Sequence, residues 1–245
     1  MATEARRPAF YALGAGGWRD YVTLLHPPYT AWHLCYVAIG AALAPDFRWD
    51  RLLPAIAAFF LAVGIGAHAL DELNGRPLRT EISRGVLAGL AVASIGGAVA
   101  IGFVGTVTVT PWLALFVAAG AFIVVAYNLE LAGGRFHNDA WFALAWGAFP
   151  LLTGYFASAE RLDGIAFAAA LFACALSRAQ RLLSTPVRDV RRRVVRVDGV
   201  VERHDGTREA VTAELLLRGK EGALRALTVA VLALAVALVI MRMTT

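Results

Sequence analysis

Seven apolar runs dominate this chain, at residues 29–44, 52–70, 85–107, 112–127, 140–158, 164–183 and 223–241. Each approaches the ~20 residues that carry a helix across the ~30 Å hydrocarbon layer of a bilayer. Away from water, such a run satisfies its backbone polar groups within itself only as a helix. The fold class that follows is all-α: a polytopic membrane bundle of about seven helices. Composition agrees, with 59% hydrophobic and 17% charged residues, against about 45–50% and 25% in soluble domains. The sixth run is the least clean, because Arg178, Gln180 and Arg181 interrupt it after Leu176; long cationic side chains at a helix end reach the headgroups.

Local signals mark the boundaries. Asp50, Ser83 and Asp163 are candidate N-caps, and Thr110-Pro111 places a cap and a first-turn proline ahead of the fourth run. Most of the six tryptophans fall near run ends, where aromatic belts sit. Residues 1–21 are polar and Gly-rich and lack the apolar stretch of a signal peptide. Cys35 and Cys174 lie inside apolar runs and read as small buried thiols.

Charge orients the bundle. With seven spans, 19 of the 23 Lys and Arg residues fall on one side, leaving Arg48, Arg51, Arg161 and Arg242 on the other. The positive-inside rule then makes the N-terminus cytoplasmic and puts the C-terminus on the opposite side. It also accounts for the net charge of +5 without nucleic acid as a partner. Four regions follow: a cytoplasmic segment at 1–28, a six-helix membrane core at 29–183, a basic cytoplasmic loop at 184–222, and a last helix with the C-terminus at 223–245. In that loop, apolar alternation around Asp198-Gly199 predicts a β-hairpin, and His204-Asp205-Gly206-Thr207 a further turn.

Polar chemistry concentrates in three cytoplasmic loops. At the end of the second run, His68, Asp71 and Glu72 are spaced i, i+3 and i+4, so they can share a helix face. Two carboxylates and an imidazole could hold Mg²⁺, with Arg76 and Arg79 as phosphate donors. The competing reading pairs Asp71 and Glu72 with those arginines as an ion network at a helix end. In the second loop, Asn128, Glu130, Arg135, His137, Asn138 and Asp139 cluster beside Tyr127; there Asn138 or Asp139 also reads as a helix cap, and Tyr127 as an interface anchor. Arg178, Arg181, Arg188, Arg191, Arg192 and Arg193 form a third, basic rim with Asp189 its only carboxylate. Such a rim attracts anionic lipid at about 1 kcal/mol per charge, or alternatively the diphosphate of a lipid substrate. No phosphate-binding Gly loop, nucleophile elbow or zinc signature occurs. No paired mid-span charges or inverted repeat point to a solute transporter.

From about Tyr21 to Arg193 the chain resembles the UbiA superfamily of intramembrane prenyltransferases. The residues that carry this are YVTLLHPPYTAWHLCYVAIGAALA, HALDELNGRPLRTEISRG with Arg76-Pro77, and Tyr127 with WGAFPLLTGY. Only Asp71 matches the family's first aspartate-rich motif; His68 and Gly75 occupy positions of other motif residues, and Asp189 alone stands where the second motif is expected. The resemblance implies a transferase acting on a prenyl or related lipid diphosphate at the cytoplasmic face. Asp71 and Glu72 would be catalytic, and His68, Asp71, Glu72 and Asp189 would hold Mg²⁺. Arg76, Arg79, Tyr127, Asn128 and Arg135 would bind the substrate. A relative that binds or moves lipid without chemistry is the alternative.

Overall fold

The computed structural model describes residues 7–244; Arg6 of the charge count lies outside them. After a short helix α1 (Trp18–Leu24) come seven longer ones: α2 (Pro27–Leu43), α3 (Trp49–Leu73), α4 (Arg84–Thr108), α5 (Leu113–Asn128), α6 (Asp139–Ala159), α7 (Gly164–Arg192) and α8 (Ala213–Thr244). They cover the seven predicted runs. Five of them, α3, α4, α6, α7 and α8, are long and apolar enough to cross a membrane, which is the architecture of an integral membrane protein. Helices α2 and α5 have 17 and 16 residues, about 25 Å of helix. Length and composition therefore support five spans where the sequence predicts seven.

Side-chain caps set three of the starts. Ser83 accepts from Val86 N at 3.3 Å, Asp163 from Ile165 N at 3.0 Å, and Asn138 from Ala140 N and Trp141 N at 3.0 Å each. Asp50 does not cap: α3 begins one residue earlier at Trp49, and Asp50 pairs with Arg48 at 2.8 Å. Trp18, Trp49 and Trp112 are exposed as interface anchors would be, whereas Trp32 and Trp146 are buried in the bundle.

Helix α2 is the centre. Trp32, Tyr36 and Ile39 pack on Leu151 of α6, Ala173 of α7, and Val231 and Ala235 of α8. Inside that apolar core, the Tyr36 hydroxyl accepts from Trp32 Nε1 at 2.7 Å and from Ser177 Oγ at 3.2 Å. Backbones meet directly between α2 and α6. A Cβ on Gly40 would lie 2.0 Å from the Leu151 carbonyl oxygen, and one on Gly154 2.1 Å from that of Val37. Close approach through small residues is how helices gain contact where lipid is as apolar as they are. Val92 and Phe103 of α4 and Leu171 of α7 instead face outward, well exposed.

Helices α3 and α6 each contain a π-helical stretch, Phe60–Ala67 and Leu144–Ala148. These wide turns leave carbonyls displaced from the regular ladder. The Trp146 carbonyl is taken up by His33 Nδ1 at 2.8 Å and the Gly64 carbonyl by His68 Nδ1 at 3.1 Å.

The predicted loop at 184–222 is shorter than expected. Helix α7 runs through Pro186 to Arg192, and α8 starts at Ala213, because Val187, Leu217 and Leu224 pack together. Between them a hairpin forms from β1 (Val200–Glu202) and β2 (Arg208–Ala210), antiparallel with Val201 opposite Glu209. Its turn is not Asp198-Gly199 but His204-Asp205-Gly206. Asp205 Oδ1 accepts from Thr207 N at 2.9 Å and Gly206 takes the left-handed φ of 82° that a side chain would resist. Arg208–Glu202 at 3.0 Å and Arg203–Glu209 brace the strands.

Candidate functional site

At the arginine-rich end of the bundle is a cavity of about 670 Å³. Its walls are the start of α2, the end of α3, the end of α5, the last turns of α7 and the N-terminal segment around Pro8–Tyr11.

Helix α3 delivers His68 and Asp71 to this cavity. Because a carbonyl can only accept, His68 Nδ1 carries the proton it gives to Gly64, and the neutral ring keeps its lone pair on Nε2. His26 lies face to face with His68, ring centroids 4.0 Å apart and planes 10° apart. His26 occupies a left-handed turn (φ 45°) just before Pro27-Pro28, its carbonyl accepting from Tyr29 N and Thr30 N to start α2. Its Nδ1 contacts the Tyr11 hydroxyl at 2.8 Å, while its buried Nε2 has no partner among the described residues. Burial, then the neighbouring His68 and the Arg192 and Arg188 charges, hold the His26 ring well below the usual imidazole pKa. Burial likewise raises the Tyr11 hydroxyl well above its ordinary value.

Glu72 does not join them. It is fully buried on the other side of α3, where Oε1 accepts from Thr80 N at 2.8 Å and Thr80 Oγ1 at 2.9 Å, and Oε2 from Leu78 N at 3.0 Å. Neighbours on a helix point about 100° apart, so Asp71 faces the cavity and Glu72 anchors the 76–80 loop. Glu72 is thus a structural carboxylate rather than the catalytic group and metal ligand the sequence predicts. Arg76 is likewise spent, donating to the Thr80 carbonyl at 2.6 Å and the Ile82 carbonyl at 2.9 Å; Arg79 donates to the Arg192 carbonyl at 3.0 Å. The alternative ion pairs of Asp71 and Glu72 with these arginines do not form either. Arg135 is exposed and outside the cavity wall.

Tyr127 and Asn128 do line the cavity. The Tyr127 hydroxyl accepts from Arg181 at 2.9 Å and its ring stacks on His137 at 4.4 Å. The Asn128 amide is turned back onto the Val124 carbonyl at 2.7 Å. Asp139, the second candidate cap of α6, instead pairs with Arg178 at 2.6 Å and Arg181 at 3.1 Å. Helix α7 contributes Gln180, Arg181, Arg188, Asp189 and Arg192. Among the described residues Arg188 reaches only hydroxyls of its own helix, Thr185 at 3.1 Å and Ser184 at 3.4 Å. Gln180 is buried, and its Oε1 lacks a partner among the described residues.

The residues expected to hold Mg²⁺ do not fit that ion. Among the described residues no three His, Cys, Asp or Glu groups gather as a metal site. Asp71 has His68 beside it, Glu72 faces away, and Asp189 stands 3.9 Å from Arg193. A hard cation needs a fuller shell of oxygens.

A second, apolar groove of about 360 Å³ lies between α3, α4, α5 and α6. It runs from Asp50 and Arg51 at the opposite end to Val63 and Trp146, and those last two also line the polar cavity. Sequence reasoning missed Tyr11, His26, Tyr29 and Gln180. Nothing in the local pattern marks Tyr11 or Gln180 for the site, and His26 shows only as the residue before Pro27-Pro28. No family model, no curated protein and no solved structure matches the chain.

Proposed function

We propose that this protein is a divergent UbiA-like transferase that acts on a prenyl or related lipid diphosphate at the cytoplasmic face of the membrane. The observation that supports this most is that the arginine-lined cavity and the apolar groove share Val63 and Trp146 in their walls. An amphipathic anion with a long tail matches both halves: its head sits among Arg181, Arg188 and Arg192, and its chain follows the groove between α3 and α5. Guanidinium groups in a site shielded from water stabilise the charge that builds on departing diphosphate. Transfer breaks the bond from the allylic carbon to the diphosphate oxygen and joins that carbon to a nucleophilic acceptor. The acceptor's proton passes to a base, for which the open Nε2 of His68 is placed in the cavity.

The structural use of Glu72 favours a second reading, a lipid-binding or lipid-transporting protein of the same fold without chemistry. One assay separates them. Purified protein is given geranylgeranyl diphosphate and a membrane lipid extract as acceptor source, and bound ligand and released diphosphate are both measured. Release that falls about tenfold or more in His68→Gln, with binding kept, supports transfer. Binding without release decides for the carrier, and neither binding nor release refutes both.

A further inference from the structure

We infer that the protein's own arginines take the place of divalent metal in this cavity, so that the diphosphate head is bound without Mg²⁺. This rests on the proposed lipid-diphosphate reading and deepens it. Arg188 and Arg192 are one turn apart on α7, line the same cavity, and are paired with no carboxylate among the described residues. Arg188 bonds only hydroxyls of its own helix, and Arg192 Nε a single carbonyl, that of Pro8 at 3.3 Å. Planar guanidinium groups match phosphate oxygens two at a time and stay charged at any physiological pH.

The acidic side of the cavity is thin. Asp189 has a side chain that is 55% exposed, beside Arg193. Glu130, the third carboxylate of the wall, is equally exposed and stands 4.0 Å from His137, so Asp71 is left as the carboxylate facing Arg188 and Arg192, and one carboxylate with one imidazole is a poor set for a hard cation. A second, independent feature points to a ligand: the buried His26 Nε2 has no partner among the described residues and belongs to the same wall. In the bound state we infer, the Tyr11 hydroxyl donates to Nδ1, so that Nε2 carries a proton and offers a phosphate oxygen one further donor.

The metal and arginine mechanisms make opposite demands on Asp71. As a metal ligand it is required for binding. As a carboxylate beside an arginine-held anion it opposes binding.

The test titrates the full chain in lipid nanodiscs with geranylgeranyl diphosphate, once in excess EDTA and once in excess Mg²⁺. The expected result is equal affinity in both, roughly tenfold weaker binding in Arg188→Gln or Arg192→Gln, and unchanged or tighter binding in Asp71→Asn. Asp71→Asn keeps shape and adds no charge, so it decides the matter even where an arginine variant fails to fold. Binding seen only with Mg²⁺ and lost in Asp71→Asn overturns the inference and leaves the lipid-diphosphate reading standing. No binding under either condition removes that reading itself, and this inference with it.

Discussion

Glu72→Ala leaves three donors, Leu78 N, Thr80 N and Thr80 Oγ1, buried without an acceptor. The expected loss is about 3 kcal/mol or more, read as a lower midpoint in detergent unfolding, with Glu72→Gln intermediate. His26 supplies a pH dependence. Its pKa in the folded state lies below the unfolded value of about 6.5, so the unfolded chain binds the extra proton first as pH falls. Stability contributed by the neutral ring is complete above about pH 6.5 and is lost as pH drops toward the folded value. Midpoints measured from pH 7.5 to 5 should fall for the native chain, and less steeply for His26→Gln. The residue scale is also where the sequence was hardest to read. Spacing placed His68, Asp71 and Glu72 within one turn, but it carried nothing on where the 76–80 loop folds. That loop, with Arg76 and Arg79 in left-handed turns (φ 52° and 58°), claims Glu72 and takes it from the site. Tyr11 and His26 were illegible for the same reason: their meeting depends on how the N-terminal segment lies against α2, which no local pattern records.

Helices were far more legible, because the pressures that make them are local. Hydrophobic length placed all seven segments, and Ser83, Asp163 and Asn138 started three of them as caps do. Pattern failed where packing prolonged a helix past its apolar run, as in α7 through Pro186; the helical composition from Thr212 onward did anticipate the first turns of α8. Pattern also failed at the hairpin, where two turn signals competed and Asp205-Gly206 prevailed. The α2–α6 contact gives the sharpest prediction at this scale. Gly40→Ala and Gly154→Ala each push a methyl into a facing carbonyl at about 2 Å. Each should cost at least the 1–3 kcal/mol typical of overpacking. Gly89→Ala, which meets open space on α4, should be neutral or stabilising in the same unfolding assay.

At the scale of the molecule, the two cavities share Val63 and Trp146 in their walls and extend toward unlike ends. The arginine-rich end holds the polar cavity. At the other end Arg51 bonds the Ala157 carbonyl at 3.1 Å and Glu160 at 2.7 Å, and Arg242 the Ala42 carbonyl at 2.7 Å. On the proposed reading, a bulky side chain in the groove shortens the chain that can be held while sparing the head. Ala121→Trp, in the α5 wall, should weaken binding of geranylgeranyl diphosphate and leave that of dimethylallyl diphosphate unchanged, by competition titration. The π-helical stretch in α3 matters to the polar cavity in another way. A wide turn holds one residue more than a regular one, so it acts as a gear tooth that sets the rotational phase of everything after it. Closing this stretch to the ordinary pitch with all its residues kept would turn the following segment by about 100°. The face bearing His68 and Asp71 would then swing off the cavity. Deleting one residue between 60 and 67 should instead let the turn close with that face still on the cavity, so it is the width of this turn, silent in composition and hydropathy, that aims the site.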